Sequence, residues 1–313
     1  MAELRWNPLI KDWVMIASHR QNRPQMPKDW CPFCPGSGKV PDHFTVYEYD
    51  NDFPALSQNP PVPDDVETRI YKTKPAYGKC EVILYSPEHT VTLPELPVDH
   101  IRELVDLWTE RFVEISKDEK IKYVFIFENR GDVVGVTMPH PHGQIYGYSV
   151  IPKKLQLEME SCKEHFDETH NCLICDMLED EMNCGDRIIM ENEDFVTFLP
   201  FFSEYPYGMY IAAKRHVQNL SQLTDSEKTN LAKILKETTG TFDSLFDLNR
   251  DGMLDPAEQA FQLDFLTRKM KDETCEEHGG DLDLDDLEFM DEDERREALE
   301  DAGYDPDDFD DDF

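Results

Sequence analysis

The sequence predicts an α/β protein of the α+β kind: two similar units in tandem, each a mostly antiparallel sheet with packed helices, and then an acidic C-terminal tail. Three observations carry that prediction. A Cys-x-x-Cys pair opens each unit, at Cys31/Cys34 and Cys172/Cys175. Each pair is followed by apolar strand-like runs, a histidine and a capped helix pattern. The charge then changes character: residues 247–313 hold 27 acidic and 6 basic residues, against 40 and 25 in residues 1–246. The divisions expected are 1–155, 156–246 and 247–313.

In the first unit, CPFCPG (31–36) reads as a tight turn and KCEVILYS (79–86) as a strand. VDHIRELVDLWTERFVEI (98–115) reads as a helix, YVFIFEN (123–129) as a second strand, and PHPHGQIYGYSVIP (139–152) closes the unit. In the second, CLICDM (172–177) leads to apolar strands in RIIMENEDFVTFLP (187–200) and MYIAAKRHVQNLSQL (209–223), then to a helix over 225–246. His165 and His170 are expected on a solvated connection between the units. The tail, rich in acid and poor in aromatics, is expected to be solvated or partly disordered.

Composition excludes several functions. A net charge of −36 repels nucleic-acid phosphate, so no polynucleotide partner is expected. No apolar run approaches the roughly 18 residues that a membrane span needs, and the start, MAELRWNPLIKDW, does not read as a signal peptide. With eight cysteines, no export signal and two Cys-x-x-Cys pairs, metal binding or redox chemistry is expected ahead of a disulfide framework, in the cytoplasm.

The chemistry concentrates in MPHPHGQ (138–144). Alternate residues of an extended chain share a face, which puts His140, His142 and Gln144 together. Cys31 and Cys34 can reach one tetrahedral Zn²⁺ from a turn, with His89 and His140 the best-placed remaining ligands; a buried pair of reduced thiols is the competing reading. His140 on a metal leaves His142 for substrate. A neutral imidazole is a nucleophile toward phosphorus near neutral pH. Gln144 can donate to a phosphate oxygen without offering a proton, which favours transfer over hydrolysis. The competing reading is a satisfied structural histidine pair.

The segment ENRGDVVGVTMPHPHGQ resembles the active-site segment of the galactose-1-phosphate uridylyltransferase family, tandem members of the histidine-triad superfamily. WNPLIKDWVMIASHRQNRP, CPFC, YDNDFPAL and YSPEHTVTLPEL extend the likeness in the family's order, and it continues to about Phe246. The resemblance implies two histidine-triad-like units and exchange of UMP between UDP-glucose and galactose 1-phosphate through uridylyl-His142. It implies that Gln144, Asn129, Gly135 and Thr137 meet the phosphates, with Thr137 where the family often has serine. Arg20 and Arg23 match the family's UDP-binding arginines, and Asn51 with Asp52 the pair near uridine and ribose. From the residues alone, the arginines also read as a solvated pair and Asn51–Asp52 as a turn. The resemblance further implies that Cys31, Cys34, His89 and His140 hold structural zinc, and that the chain is a homodimer.

Beyond Phe246 the family's further histidine-rich strand is not evident, which leaves Glu158 and the set Cys172, Cys175 and His216 without a complete second metal site. In its place stands DLNRDGMLDPAE: Asp247, Asn249, Asp251, Asp255 and Glu258 fall at liganding positions of an EF-hand calcium loop, with Gly252 at the turn. An acidic loop that only resembles one is the competing reading. Two other functions stand beside the transferase. One is a nucleotide-sugar or dinucleotide phosphorylase of the same superfamily. The other is a non-catalytic calcium-binding protein on a degraded transferase scaffold.

Overall fold

The computed structural model describes residues 2–17, 30–130, 138, 140–203 and 208–244. Arg20, Arg23, Gly135, Thr137 and the 247–258 loop lie outside the described residues. The chain runs β1 (Ala2–Asn7), β2 (Asp12–Ala17), β3 (Tyr47–Asp50), β4 (Thr73–Pro75), β5 (Gly78–Leu84), α1 (Val98–Ser116), β6 (Tyr123–Phe127) and β7 (His142–Tyr148). It continues with α2 (Lys153–Thr169), α3 (Leu173–Cys184), β8 (Ile188–Glu191), β9 (Phe195–Phe198), β10 (Tyr210–Ala213) and α4 (Asp225–Ser244). Three sheets form, in the orders β2-β1-β4, β3-β5-β7-β6 and β10-β9-β8, with every paired strand antiparallel. The mixed, mostly antiparallel architecture is the expected one.

The four-stranded sheet positions the chemistry. β5, GKCEVIL, lies between β3 and β7 and is buried almost throughout, as an apolar run flanked on both edges should be. Its one acid, Glu81, is fully buried and takes a bidentate pair from Arg111 of α1, at 2.9 and 2.7 Å. β7 alternates. Gly143, Ile145 and Gly147 turn inward, and a Cβ on Gly147 would lie 2.6 Å from Ile115 Cγ2 at the end of α1. His142 and Gln144, half-buried, take the opposite face.

α1 buries Ile101, Leu104, Val105, Thr109 and Ile115, a stripe at helical spacing. α4 starts in a capping box: the Thr224 hydroxyl accepts from Glu227 N at 3.2 Å, and the Glu227 carboxylate accepts from Thr224 N at 2.7 Å. The apolar faces of both helices enter one core, in which Ile83, Ile101, Leu104 and Ile145 meet Phe195, Leu231 and Ile234. Polar ties cross the same seam. Arg102 pairs with Asp225 at 3.0 Å, Lys228 with Asp106 at 2.9 Å, and Lys236 Nζ donates to the carbonyls of Pro94 and Leu96. Met1–Ser203 and Tyr207–Leu245 accordingly pack as one compact unit.

The stretch expected as a solvated connection is helical and largely exposed. His165 lies within α2 and pairs with Asp176 of α3 at 2.7 Å, while His170 ends α2 in the left-handed region at φ 62°. α2 buries no residue, so it lacks the apolar stripe that marks a helix in sequence. Among the described residues, no helix is long and apolar enough to cross a membrane.

Candidate active site

Three segments far apart in the chain converge on one group of four donors. Cys31 and Cys34 sit on a turn closed by Cys34 N donating to the Cys31 carbonyl at 3.3 Å, with Phe33 N reaching Cys31 Sγ at 3.4 Å. His89 follows β5 and His140 precedes β7. Cys34 Sγ lies 3.4 Å from His89 Nδ1 and 3.7 Å from His140 Nδ1, and Cys31 Sγ lies 3.8 Å from His140 Nδ1. All four donor atoms fall within 4.8 Å of one another. A tetrahedral ion bonded at about 2.3 Å to sulfur and about 2.1 Å to nitrogen holds its ligand atoms roughly 3.6 Å apart. The observed spacings fit that geometry.

The surroundings fit as well. His140, only 1% exposed, donates from Nε2 to the Ser86 carbonyl at 2.8 Å, so its Nδ1 is left as a lone pair facing the thiols. Burial is the main cause that takes the His140 pKa down to about 4, with His89 and His142 adding to it. Burial and the neighbouring Cys31 push the Cys34 thiol up to about 11. Two thiols and two imidazoles packed this closely match a divalent cation that would stabilise the thiolates.

His142 begins β7 two residues on. Its Nδ1 lies 2.7 Å from the His140 carbonyl, which can only accept, so Nδ1 carries the proton and Nε2 keeps a lone pair. Burial lowers its pKa and favours the neutral imidazole. The Phe33 ring stands edge-on at 5.8 Å between centroids. Gln144 shares the face of His142, and its Oε1 accepts from the Tyr146 hydroxyl at 3.1 Å. That orients the amide N–H₂ as the donating end. A nucleophilic nitrogen and an amide donor, two residues apart on one strand, can attack and hold a phosphoryl group.

The other expected residues divide. Asn129, exposed, lies two residues beyond the Phe127–Gln144 pair and therefore toward His142. Asn51 and Asp52 do not meet His142. Asn51 N donates to the Cys80 carbonyl at 3.4 Å, while His142 pairs with Leu84, four residues along β5 and so about 13 Å away at ~3.3 Å per residue. Asn51 Oδ1 accepts from Phe53 N at 2.9 Å, and Asp52 accepts from the Tyr49 hydroxyl at 2.7 Å and from Lys39 at 3.3 Å. Sequence reasoning missed Tyr146 and Phe33. Continuing the alternation 140, 142, 144 would have reached Tyr146; nothing in CPFC marks Phe33.

Two further groups bring donors together. Cys172, Cys175 and His216 lie within 4.8 Å, with Cys175 Sγ 3.2 Å from His216 Nδ1. Glu48, Asp50 and Glu81 form an acidic group already engaged by Lys79, 2.5 Å from Asp50, and by Arg111.

Comparison with known proteins agrees with this arrangement. Residues 1–152 match the family described as galactose-1-phosphate uridyl transferase, N-terminal domain, and residues 158–278 match its C-terminal domain. The second match reaches past Phe246 and includes the acidic loop 247–258. The galactose-1-phosphate uridylyltransferase of Thermotoga maritima is 38% identical over 79% of this chain and 77% of its own. That of Haemophilus influenzae is 32% identical over 78% and 74%. A solved uridylyltransferase structure superposes with a TM-score of 0.72 at 29% identity, covering 78% of this chain and 76% of that one. An ADP-glucose phosphorylase from Arabidopsis thaliana, solved with ADP-glucose bound, superposes at 0.59 with 27% identity over 80% and 79%. Matched through both halves, and with relatives above 30% identity spanning most of each chain, the protein belongs to the galactose-1-phosphate uridyl transferase family.

Proposed function

We propose that this chain is a nucleotidyltransferase exchanging UMP between UDP-glucose and galactose 1-phosphate. His142 Nε2 attacks the α-phosphorus, the bond to the bridging oxygen breaks, and glucose 1-phosphate leaves. A phosphate oxygen of galactose 1-phosphate then attacks the same phosphorus, the P–N bond breaks, and UDP-galactose departs with the imidazole neutral again. The observation that carries this reading is the Nδ1–H bond to the His140 carbonyl, which leaves Nε2 as the nucleophile and stabilises the cationic phosphoramidate as it forms. Gln144 holds a non-bridging phosphate oxygen through its N–H₂. Asn129, Gly135 and Thr137 are assigned to the phosphates, and Arg20 and Arg23 to the diphosphate as bidentate donors. The ~13 Å between Asn51–Asp52 and His142 along the sheet suits the uridine end of the same ligand.

Cys31, Cys34, His89 and His140 are assigned to structural Zn²⁺, which fixes His140 and with it the carbonyl that orients His142. Residues 1–155 and 156–246 are taken as histidine-triad-like halves and 247–313 as a separate acidic segment. Asp247, Asn249, Asp251, Asp255 and Glu258 carry the oxygen-ligand spacing for Ca²⁺, and calcium titration of the full chain tests that assignment. A cytoplasmic homodimer completes the reading, and sedimentation tests its oligomeric part.

Intact mass after mixing with UDP-glucose tests the chemistry: a UMP adduct on the wild type, absent from His142→Ala, is expected. The likeness to the ADP-glucose phosphorylase supports one alternative, in which the same nucleophile works on an adenine nucleotide sugar. An adduct from ADP-glucose but not from UDP-glucose would decide for it. No adduct from either donor in zinc-loaded protein would leave the non-catalytic calcium-binding reading.

A further inference from the structure

A second polar depression lies away from His142. It is a cleft of about 660 Å³ whose lining includes Lys74, Lys120, Tyr77, Gln58, Asn59 and Ser149. Ser149 immediately follows β7, seven residues from His142 at the strand's other end, or about 23 Å away at ~3.3 Å per residue. The volume is that of a small-molecule site.

Its charge is opposite to that of the molecule. In a chain of net charge −36, this lining holds two lysines and no acid. Each ammonium is held by an aromatic ring: Lys74 Nζ lies 4.0 Å from the Trp13 ring centroid and Lys120 Nζ 4.7 Å from that of Tyr77. A ring quadrupole holds an ammonium in place without cancelling its charge. Among the described residues, neither lysine has a carboxylate within the 4.0 Å of an ion pair. Asp118, the acid beside the cleft, is bonded to the lining itself and acts on the Lys120 ammonium from beyond ion-pair distance. It accepts from the Tyr77 hydroxyl at 2.5 Å, from Gln58 Nε2 at 3.4 Å and from the backbone N–H of Lys120 at 3.0 Å. Lys74 is half-buried, and burial alone lowers its pKa, as expected for a partly desolvated ammonium without a counter-ion.

We propose that this cleft binds a small phosphorylated molecule, its phosphoryl group held by Lys74 and Lys120 and its polar body by Gln58, Asn59 and Ser149. Lys74, without an acidic neighbour, and Lys120, in the field of Asp118 alone, supply the positive charge for a phosphoryl group, and the amide and hydroxyl groups supply donors for ester and hydroxyl oxygens. The site is separate from the transfer chemistry and would take its ligand whether or not His142 is uridylylated.

The test is titration of the full zinc-loaded chain with pyrophosphate, followed by tryptophan fluorescence, because Trp13 underlies Lys74. Saturable binding is expected, with Kd raised about tenfold by Lys120→Gln and again by Lys74→Gln, the loss of one charge-assisted contact each. His142→Ala should bind as the wild type does, and UMP exchange should be unchanged in Lys120→Gln. Lys120 is exposed, so its variant keeps the fold even if Lys74→Gln disturbs β4. No saturable signal at millimolar pyrophosphate, a Kd indifferent to Lys120→Gln, or binding lost in His142→Ala would each overturn the proposal.

Discussion

Gly143→Ala should cripple transfer without touching a reacting atom. A Cβ at residue 143 would lie 2.2 Å from Tyr85 Oη and 2.9 Å from Tyr85 Cζ. Ordinary contact needs about 3.4 Å or more, so roughly 1 Å of movement is required. Tyr85 cannot supply it cheaply: it is 2% exposed, its ring stands edge-on to Trp108 at 6.1 Å, and its carbonyl is bonded to His100 Nε2 at 2.6 Å. The displacement therefore falls on β7, where residue 143 separates His142 from Gln144. Overpacking of this kind costs about 1–3 kcal/mol of stability. A 1 Å error in a reacting group costs on the order of 100-fold in rate. Steady-state UMP exchange should show kcat down by about that factor, with zinc content at wild-type level. Thermal melting should show the modest destabilisation. Gly143→Ala combined with Tyr85→Phe, which removes the closest atom, should recover part of both losses. A Gly143→Ala protein with wild-type kcat, or a double variant no better than the single, would refute the account of why glycine follows His142.

Three other outcomes follow from the geometry. Cys34→Ser should remove one zinc equivalent by metal analysis and lower the melting temperature, because Cys34 contacts both histidine donors. Arg111→Ala should destabilise the fold by about 3–5 kcal/mol in urea unfolding, since it leaves the Glu81 carboxylate fully buried with only Lys79, at 3.7 Å, for company. Arg215, followed by the Thr224 backbone N–H, holds the Glu227 carboxyl at about 2, below its ordinary 4.5. A carboxyl depressed on folding contributes stability in full above its unfolded pKa and loses it as pH falls through the folded one. Glu227→Gln should therefore show a shallower loss of stability than wild type between about pH 4.5 and pH 2 in melting curves; parallel curves would argue against it.

Legibility in the sequence followed the strength of the local pattern. The helix expected over 98–115 is Val98–Ser116, because Ile101, Leu104, Val105 and Ile115 repeat at helical spacing. The start of α4 at Asp225 was legible from its capping box. α2 and α3 were not, since between them they bury only Leu178 and Glu181 and show no stripe to read. The sheet β2-β1-β4 was missed for another reason. β4 is three residues long, and its pairing with β1 joins Lys74 to Leu4 across a separation that periodicity cannot report. At the site, spacing puts Cys31 and Cys34 on a turn and His140, His142 and Gln144 on one strand face, whereas His89 could only be named as a candidate that the fold then brings within 4.8 Å of the other three donors. The proton position on His142 was not, because it depends on a carbonyl that only the bend before β7 brings to 2.7 Å.

The four-donor cluster also has a meaning for the unfolded chain. Cys31 and His140 are 109 residues apart, and Cys34 and His89 are 55 apart. An ion held by all four closes loops of those lengths, as a disulfide would. Closing a loop of about 100 residues removes on the order of 4–5 kcal/mol of conformational freedom from the denatured ensemble. A chelator would thus return that freedom to the whole stretch from Cys31 to His140, which includes β3, β5 and α1, and loosen the strand that carries His142 from a distance.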